Sequence, residues 1–273
     1  MSEWDAIRRS KAPVTRSLIV NDLRKLGIEA GMTVIVHSSM KRIGWICGGA
    51  VTVIEALQEV LTLKGTLVMP AHSADVSDPG DWDNPPVPKG WLKAIYDEMP
   101  PFDPDRTPTF GIGRVAETFR KFPGVERSGH PIYSFSAWGA HSREIISGHD
   151  YDDGMGNASP LGSIYRLNGC VLLIGVGFDK NTSMHLGEYQ SKRYPQVTRQ
   201  SPVLVNGERR WVSYRDRDYH EELFPAIGHA FEREMRGKGT FCTGKIGQAT
   251  SVFMPQRAIV DFTADYLLRK SKR

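Results

Sequence analysis

Cys170-Val171-Leu172-Leu173-Ile174-Gly175-Val176-Gly177-Phe178-Asp179-Lys180-Asn181-Thr182-Ser183-Met184-His185-Leu186-Gly187-Glu188-Tyr189 changes character half-way along. Residues 171–176 form a short apolar run closed by glycine, which reads as a strand buried on both faces. The second half is polar and ends in His185 and Glu188. In open α/β sheets the ligand crevice lies just beyond the carboxyl ends of the strands. A histidine placed there can meet a substrate and titrate near neutral pH. The other reading is a packed, hydrogen-bonded histidine.

The flanking sequence repeats the pattern. Residues 14–26 read as an amphipathic helix, with Leu18, Leu23 and Leu26 as core candidates. Residues 33–36 are a strand, followed by His37-Ser38-Ser39, and a loop through Gly48-Gly49 opens a helix with Ala50, Val53, Ile54, Leu57 and Leu61 on one face. Paired glycines at a helix start let an anion approach backbone N–H groups. The same residues fit a plain tight connection, and neither a P-loop nor GxGxxG is present. Residues 65–70 are a second buried strand, 113–122 a helix, and 133–137 a strand. Ser159-Pro160 starts a helix as N-cap and first residue. After Tyr194-Pro195, residues 202–205 and 210–214 flank Asn206-Gly207, the strongest short turn signal of the chain. A last helix covers 256–268. With no repeat or linker, the reading is one domain over 1–273: a mostly parallel α/β core whose C-terminal third adds a small antiparallel part.

Composition narrows the function. The 273 residues are 40% hydrophobic and 24% charged, as in ordinary globular proteins. No apolar run spans a membrane, and the first residues lack a signal-peptide pattern. Three scattered cysteines form no CxxC, so a reducing cytoplasm is expected. A net charge of +4 without basic–aromatic clusters does not point to nucleic acid. The charge is uneven: residues 72–105 hold eight acids and two bases, whereas 106–130 hold five bases and two acids. Such neighbours suit a cationic and an anionic ligand held together, or two solvated surfaces. The Pro-, Asp- and Trp-rich segment 71–109 is long enough for a lid or binding loop.

Catalytic signatures are mostly missing. No HExxH or GxSxG occurs. Cys47 sits in the glycine loop without a fixed histidine partner. Residues 108–113 miss the commonest acetyl-CoA signature, with Pro108 where Gln or Arg is needed.

Several short motifs occur together in order: His37-Ser38-Ser39 with Gly48-Gly49; Met69-Pro70-Ala71-His72-Ser73-Ala74-Asp75; Asn84-Pro85-Pro86-Val87-Pro88; Thr107-Pro108-Thr109 before Gly111 and Gly113; Arg127-Ser128-Gly129-His130-Pro131 with Ser134-Phe135; and Asp179-Lys180-Asn181-Thr182-Ser183-Met184-His185-Leu186. Jointly they resemble the aminoglycoside 3-N-acetyltransferase family, from about Leu18 to the terminal helix. The resemblance implies a three-layer α/β/α sandwich outside the common acetyltransferase superfamily. It implies acetyl-CoA as donor and a 2-deoxystreptamine aminoglycoside acetylated on its 3-amino group as antibiotic resistance; no metal is expected, since HExxH is missing and the histidines are dispersed.

Under that resemblance, Ser38, Ser39, Gly48, Gly49, Ala50 and Thr109 are expected on the CoA side, with further donors from Arg127, Ser128 and His130. His72, Asp75, Asp83, Asp103, Glu188 and Glu222 are expected toward the polycationic acceptor. His185 is the expected general base, with Glu117 orienting its ring, Glu188 as the other carboxylate able to do so, and His37 a third candidate, near the thioester or structural. Direct transfer needs oxyanion donors, for which backbone N–H groups or the Thr109 hydroxyl are candidates. A non-aminoglycoside amine acceptor, or a metal-dependent hydrolase built on His72, Asp75 and His185, are the competing readings. A monomer or homodimer is expected.

Overall fold

The apolar runs meet in the middle of one sheet. The computed structural model describes residues 3–271; the outermost residues of the expected 1–273 unit, 1–2 and 272–273, lie outside the described residues. Strands β1 (Thr33–Ser38), β2 (Thr66–Pro70) and β5 (Cys170–Ile174) run parallel in the order β2-β1-β5. Nearly every residue in them is buried, hence the unbroken hydrophobic runs. Strands β3 (Glu126–Arg127) and β4 (Phe135–Gly139) extend the sheet on the β2 side, and β8 (Cys242–Ile246) and β9 (Ala249–Pro255) on the β5 side. These outer pairings are antiparallel, yet five of the seven strands point the same way.

The helices are α1 (Glu3–Arg9), α2 (Arg16–Lys25), α3 (Met40–Ile43), α4 (Gly49–Leu61), α5 (Leu92–Glu98), α6 (Arg114–Phe119), α7 (Ser142–Ile146), α8 (Pro160–Arg166), α9 (Ser183–Ser191), α10 (Phe224–Met235) and α11 (Gln256–Ser271). One face of the sheet is covered by α2, α4 and α6, which set Leu23, Leu57 and Phe119 against Val34, Leu67 and Leu172. The other face is covered by α7 to α11, with Met184, Phe224 and Ile259 against Ile35, Val68 and Leu173. That makes three layers. Leu18 is a correction to the expected core: α2 buries Ile19 and Val20 instead and leaves Leu18 exposed.

Two local choices place the chemistry. Alternation along β1 puts His37 on the face of Ile35, the side of α9. After β5, the Asn181 side chain accepts the Ser183 N–H at 3.2 Å and starts α9. A Cβ at Gly187 would lie 2.7 Å from the Val260 carbonyl oxygen, so glycine lets α9 press onto α11.

Strands β6 (Gln196–Val205) and β7 (Glu208–Arg217) form a separate hairpin, longer than the turn signal alone suggested. Asn206 and Gly207 both take positive φ (52° and 81°), as a tight hairpin turn requires. The hairpin is fastened to segment 71–109. Gln200 Nε2 donates to Asp78 Oδ2 at 2.5 Å, Arg209 Nη1 to the Tyr96 and Met99 carbonyls at 2.9 and 3.0 Å, and Trp211 Nε1 to Tyr96 O at 2.9 Å.

Candidate active site

His185 and Glu188 sit one turn apart on α9, just past the carboxyl end of β5. Their side chains meet: His185 Nδ1 lies 2.6 Å from Glu188 Oε2. The other Glu188 oxygen accepts the His220 N–H at 3.2 Å, just beyond the end of β7. Glu188 is sealed from solvent, and those two contacts compensate a buried carboxylate. The ring of His185 is held by Tyr219 and Phe224, at centroid distances of 5.1 and 4.8 Å. Spending Nδ1 on a carboxylate leaves Nε2 as the nitrogen that can exchange a proton.

Around His185 stand groups left without partners. His37, at the end of β1, and His72, just past β2, each bury an Nε2 with no hydrogen bond. Burial first, and His185 second, push both imidazoles down to about 3, so they are neutral at physiological pH. Tyr133 and Phe135 grip the His72 ring edge-on, with centroids 5.8 and 5.3 Å away. Asp216, on β7, accepts the Arg217 N–H at 2.7 Å through Oδ1. Its Oδ2 is buried and short of hydrogen-bond geometry, although the Tyr133 hydroxyl stands near enough to favour the charged form. Burial nonetheless raises this carboxyl to about 6.

On the other side of β1, α4 begins at Gly49 behind Gly48, at φ 64° and 83°. A Cβ on Gly48 would lie 2.4 Å from Thr52 Oγ1. No side chain caps this thirteen-residue helix: the Gly49 N–H goes to the Ile46 carbonyl at 3.0 Å, and the next first-turn N–H groups, including that of Ala50, have no capping side chain. Ser38 ends β1 beside it, and Ser39 spends its N–H on the Ile174 carbonyl at 2.9 Å without capping α3 through its hydroxyl. An uncapped helix start with two glycines and neighbouring hydroxyls fits a pyrophosphate. Among the described residues no three His, Cys, Asp or Glu side chains stand together as a metal site, and no helix is long and apolar enough to cross a membrane.

Comparison with known proteins decides the lineage. Residues 35–268 match the model of the family described as aminoglycoside 3-N-acetyltransferase. The chain belongs to that family. It is 43% identical to the SPbeta prophage-derived aminoglycoside N(3')-acetyltransferase-like protein YokD of Bacillus subtilis, over 96% of this chain and 95% of that one. It is 35% identical to aminoglycoside N(3)-acetyltransferase IX of Micromonospora chalcea, over the whole of both chains. Among solved structures, the AAC-IIIb binary complex with CoASH superposes with a TM-score of 0.83 at 28% identity, covering 95% of this chain and 98% of that one.

In this member of the acetyltransferase family several expected roles need correcting. Glu117 does not orient His185. Its Oε2 accepts the Thr109 N–H and hydroxyl, both at 2.9 Å, and Arg120 Nε at 2.7 Å; Arg120 Nη2 and Lys121 hold Oε1 at 2.8 and 3.1 Å. Burial alone would raise this carboxyl, but Arg120, Thr109 and Lys121 outweigh it and hold it at about 2. The same contacts spend the Thr109 hydroxyl, which is therefore no oxyanion donor.

Arg127, Ser128 and His130 are scaffold. Arg127 gives Nε to Ser134 Oγ at 3.0 Å, Nη1 to the Pro104 and Thr107 carbonyls at 3.2 and 2.5 Å, and Nη2 to Ala71 O and Ser73 Oγ at 2.5 and 2.7 Å. It thus pins the two ends of segment 71–109 to the sheet edge, and nothing of the guanidinium remains for CoA. Ser128 Oγ accepts the Phe135 N–H at 2.9 Å and meets His149 Nδ1 at 3.0 Å. His130 Nδ1 accepts the Ile132 and Tyr133 N–H groups at 3.2 and 3.1 Å, which makes Nε2 the donor to Tyr151 O at 3.3 Å.

The acceptor-side acids divide. Glu188 is not among them, being sealed behind His185. Asp103 Oδ1 is taken by the Asp105 and Arg106 N–H groups at 2.9 and 3.1 Å, closing a turn. Asp75 and Asp83 are exposed along the segment, and Glu222 is exposed 3.5 Å from His220 Nδ1. Asp216, Tyr133 and Tyr219 escaped the sequence reading. Strict alternation would have found Asp216: Tyr214 and Asp216 are buried and Arg215 exposed.

Proposed function

We propose that the chain transfers acetyl from acetyl-CoA to the 3-amino group of a 2-deoxystreptamine aminoglycoside, with His185 as general base and no acyl-enzyme, and that this confers resistance to the drug in the cytoplasm. The observation that carries the reading is the 2.6 Å His185–Glu188 pair at the carboxyl end of β5. Glu188 accepts Nδ1–H and so directs the Nε2 lone pair outward. His185 Nε2 then takes the proton that an ammonium must lose before it can attack. The amine nitrogen bonds to the acetyl carbon and sheds its second proton to solvent, the C–S bond breaks with its electron pair leaving on sulfur, and His185 returns the first proton to that thiolate, so that one proton is released overall.

Ser38, Ser39, Gly48, Gly49 and the N–H of Ala50 are the residues that would hold the CoA phosphates. Asp75, Asp83 and Glu222 are the exposed acids that would meet the ammonium groups of the acceptor, joined by the neutral His72. The test is free-thiol release from acetyl-CoA with a panel of aminoglycosides that includes members with the 3-amino group missing or blocked. Release that requires a free 3-amino group is expected. No release with any of them overturns the acceptor assignment.

A further inference from the structure

We propose that His37 is a further catalytic residue, whose Nε2–H donates to the thioester carbonyl oxygen as negative charge gathers there. This rests on the acetyl-transfer reading above and deepens it. Attack by the amine pushes an electron pair from the C=O bond onto oxygen, and that pair returns when the C–S bond breaks. A donor aimed at the oxygen is needed only between those two events.

Of the two expected donors, the Thr109 hydroxyl is spent, because Thr109 gives both its N–H and its hydroxyl to Glu117, which leaves backbone N–H groups and whatever side chain the site adds. His37 meets the requirement on three counts. Its Nε2 is buried without a hydrogen-bond partner and so keeps a donor to offer. It stands at the carboxyl end of the central strand of the sheet, immediately before the Ser38-Ser39 of the proposed phosphate site and on the face of β1 that α9, the helix of His185, covers. It is also neutral: burial and the neighbouring His185 keep it from taking a proton above about pH 3. A neutral imidazole donates a hydrogen bond without competing with His185 for the proton. It also binds a developing oxyanion much better than a ground-state carbonyl. His72 has a similarly orphaned nitrogen, but it roots the acceptor-side segment, with its ring gripped by Tyr133 and Phe135.

The experiment compares wild type with His37→Leu, which removes the donor, and His37→Gln, whose amide nitrogen replaces Nε2–H. Acetyl-CoA labelled with carbon-13 at the carbonyl is bound without acceptor, and its C=O stretch is read by infrared difference spectroscopy. Acetyl-CoA affinity and kcat are measured alongside. Wild type and the glutamine variant are expected to shift the stretch to lower frequency than in free acetyl-CoA. The leucine variant is expected to lose the shift and about 10²–10³-fold in kcat, while binding acetyl-CoA within about threefold of wild type. The glutamine variant is expected to stay within about tenfold of wild-type kcat.

An unshifted stretch in wild type, or a leucine variant that keeps the shift or its turnover, overturns the proposal. If the leucine variant does not fold, the glutamine variant decides, and its losing the shift overturns the proposal. Failure of the underlying reading looks different: wild type itself then releases no thiol with any aminoglycoside.

Discussion

His185, in the first turn of α9, and His130, in the loop before β4, both pack their rings among aromatic side chains. His130 has each ring nitrogen engaged by main chain, with Ile132 and Tyr133 on one and Tyr151 on the other. His185 has one nitrogen fixed by Glu188 and the other open. The carboxylates divide the same way: Glu117 is saturated by Arg120, Lys121 and Thr109, while Glu188 gives one oxygen to the His185 ring and the other to the His220 N–H. A polar residue that has spent its donors and acceptors holds the fold. One with a single valence kept open can do chemistry.

The sharpest way to break this contrast is His185→Ala. It should cost about 10²–10⁴-fold in kcat, the usual share of a general base. CoA affinity should hold within a few-fold, as titration calorimetry would show; intact turnover would remove His185 from the mechanism. Next comes Arg127→Met, which strips five donor contacts and leaves carbonyls unanswered. It should lower unfolding free energy by about 3 kcal/mol in urea titrations, with KM for acetyl-CoA unchanged where the protein is folded. A selective rise in that KM would return Arg127 to the donor site.

The carboxylates can be set against each other. Glu188→Gln should lower kcat about ten- to a hundredfold, a part of what the base contributes, while Glu117→Gln should act on thermal stability and leave kcat within about twofold. The reverse result would reinstate Glu117 as the orienting group.

Last comes pH. His37, His72, His130 and His149 all have folded-state pKa values below the ordinary 6.5, because burial disfavours the imidazolium. Between that value and their depressed pKa values the unfolded chain binds more protons. Stability should therefore be complete above pH 6.5 and fall on acidification, by roughly 1 kcal/mol per pH unit for each imidazole fully in its window. Asp216, raised to about 6 by burial, works in the opposite direction below that pH, as do Asp75 and Asp153, which burial also raises. A urea midpoint that is flat from pH 7 to 5 would contradict the burial of these histidines.

Much of the fold was legible because burial on both faces writes itself as an apolar run, as in residues 34–36, 66–69 and 171–174. The outer strands were harder to read. Whether β4 and β9 pair antiparallel depends on partners that are distant in the chain. In the site, His185 and Glu188 were legible as a helical turn of spacing three. Arg127 was not, because its acceptors, Ala71, Ser73, Pro104 and Thr107, come from 20 to 56 residues away in the chain. No local pattern shows where a guanidinium will spend its hydrogens.

The fastening of the β6–β7 hairpin to segment 71–109 carries a consequence for redesign. Trp211 and Arg209 read main-chain carbonyls of residues 96 and 99, so these links tolerate changes in the side chains they join. Gln200 with Asp78 does not, since it is a side-chain match. If segment 71–109 meets the acceptor as proposed, the two pieces should be moved together as one unit. A graft that moves the segment from a relative without its hairpin should misfit at residues 78 and 200, whereas moving both together should carry the donor's acceptor preference with them.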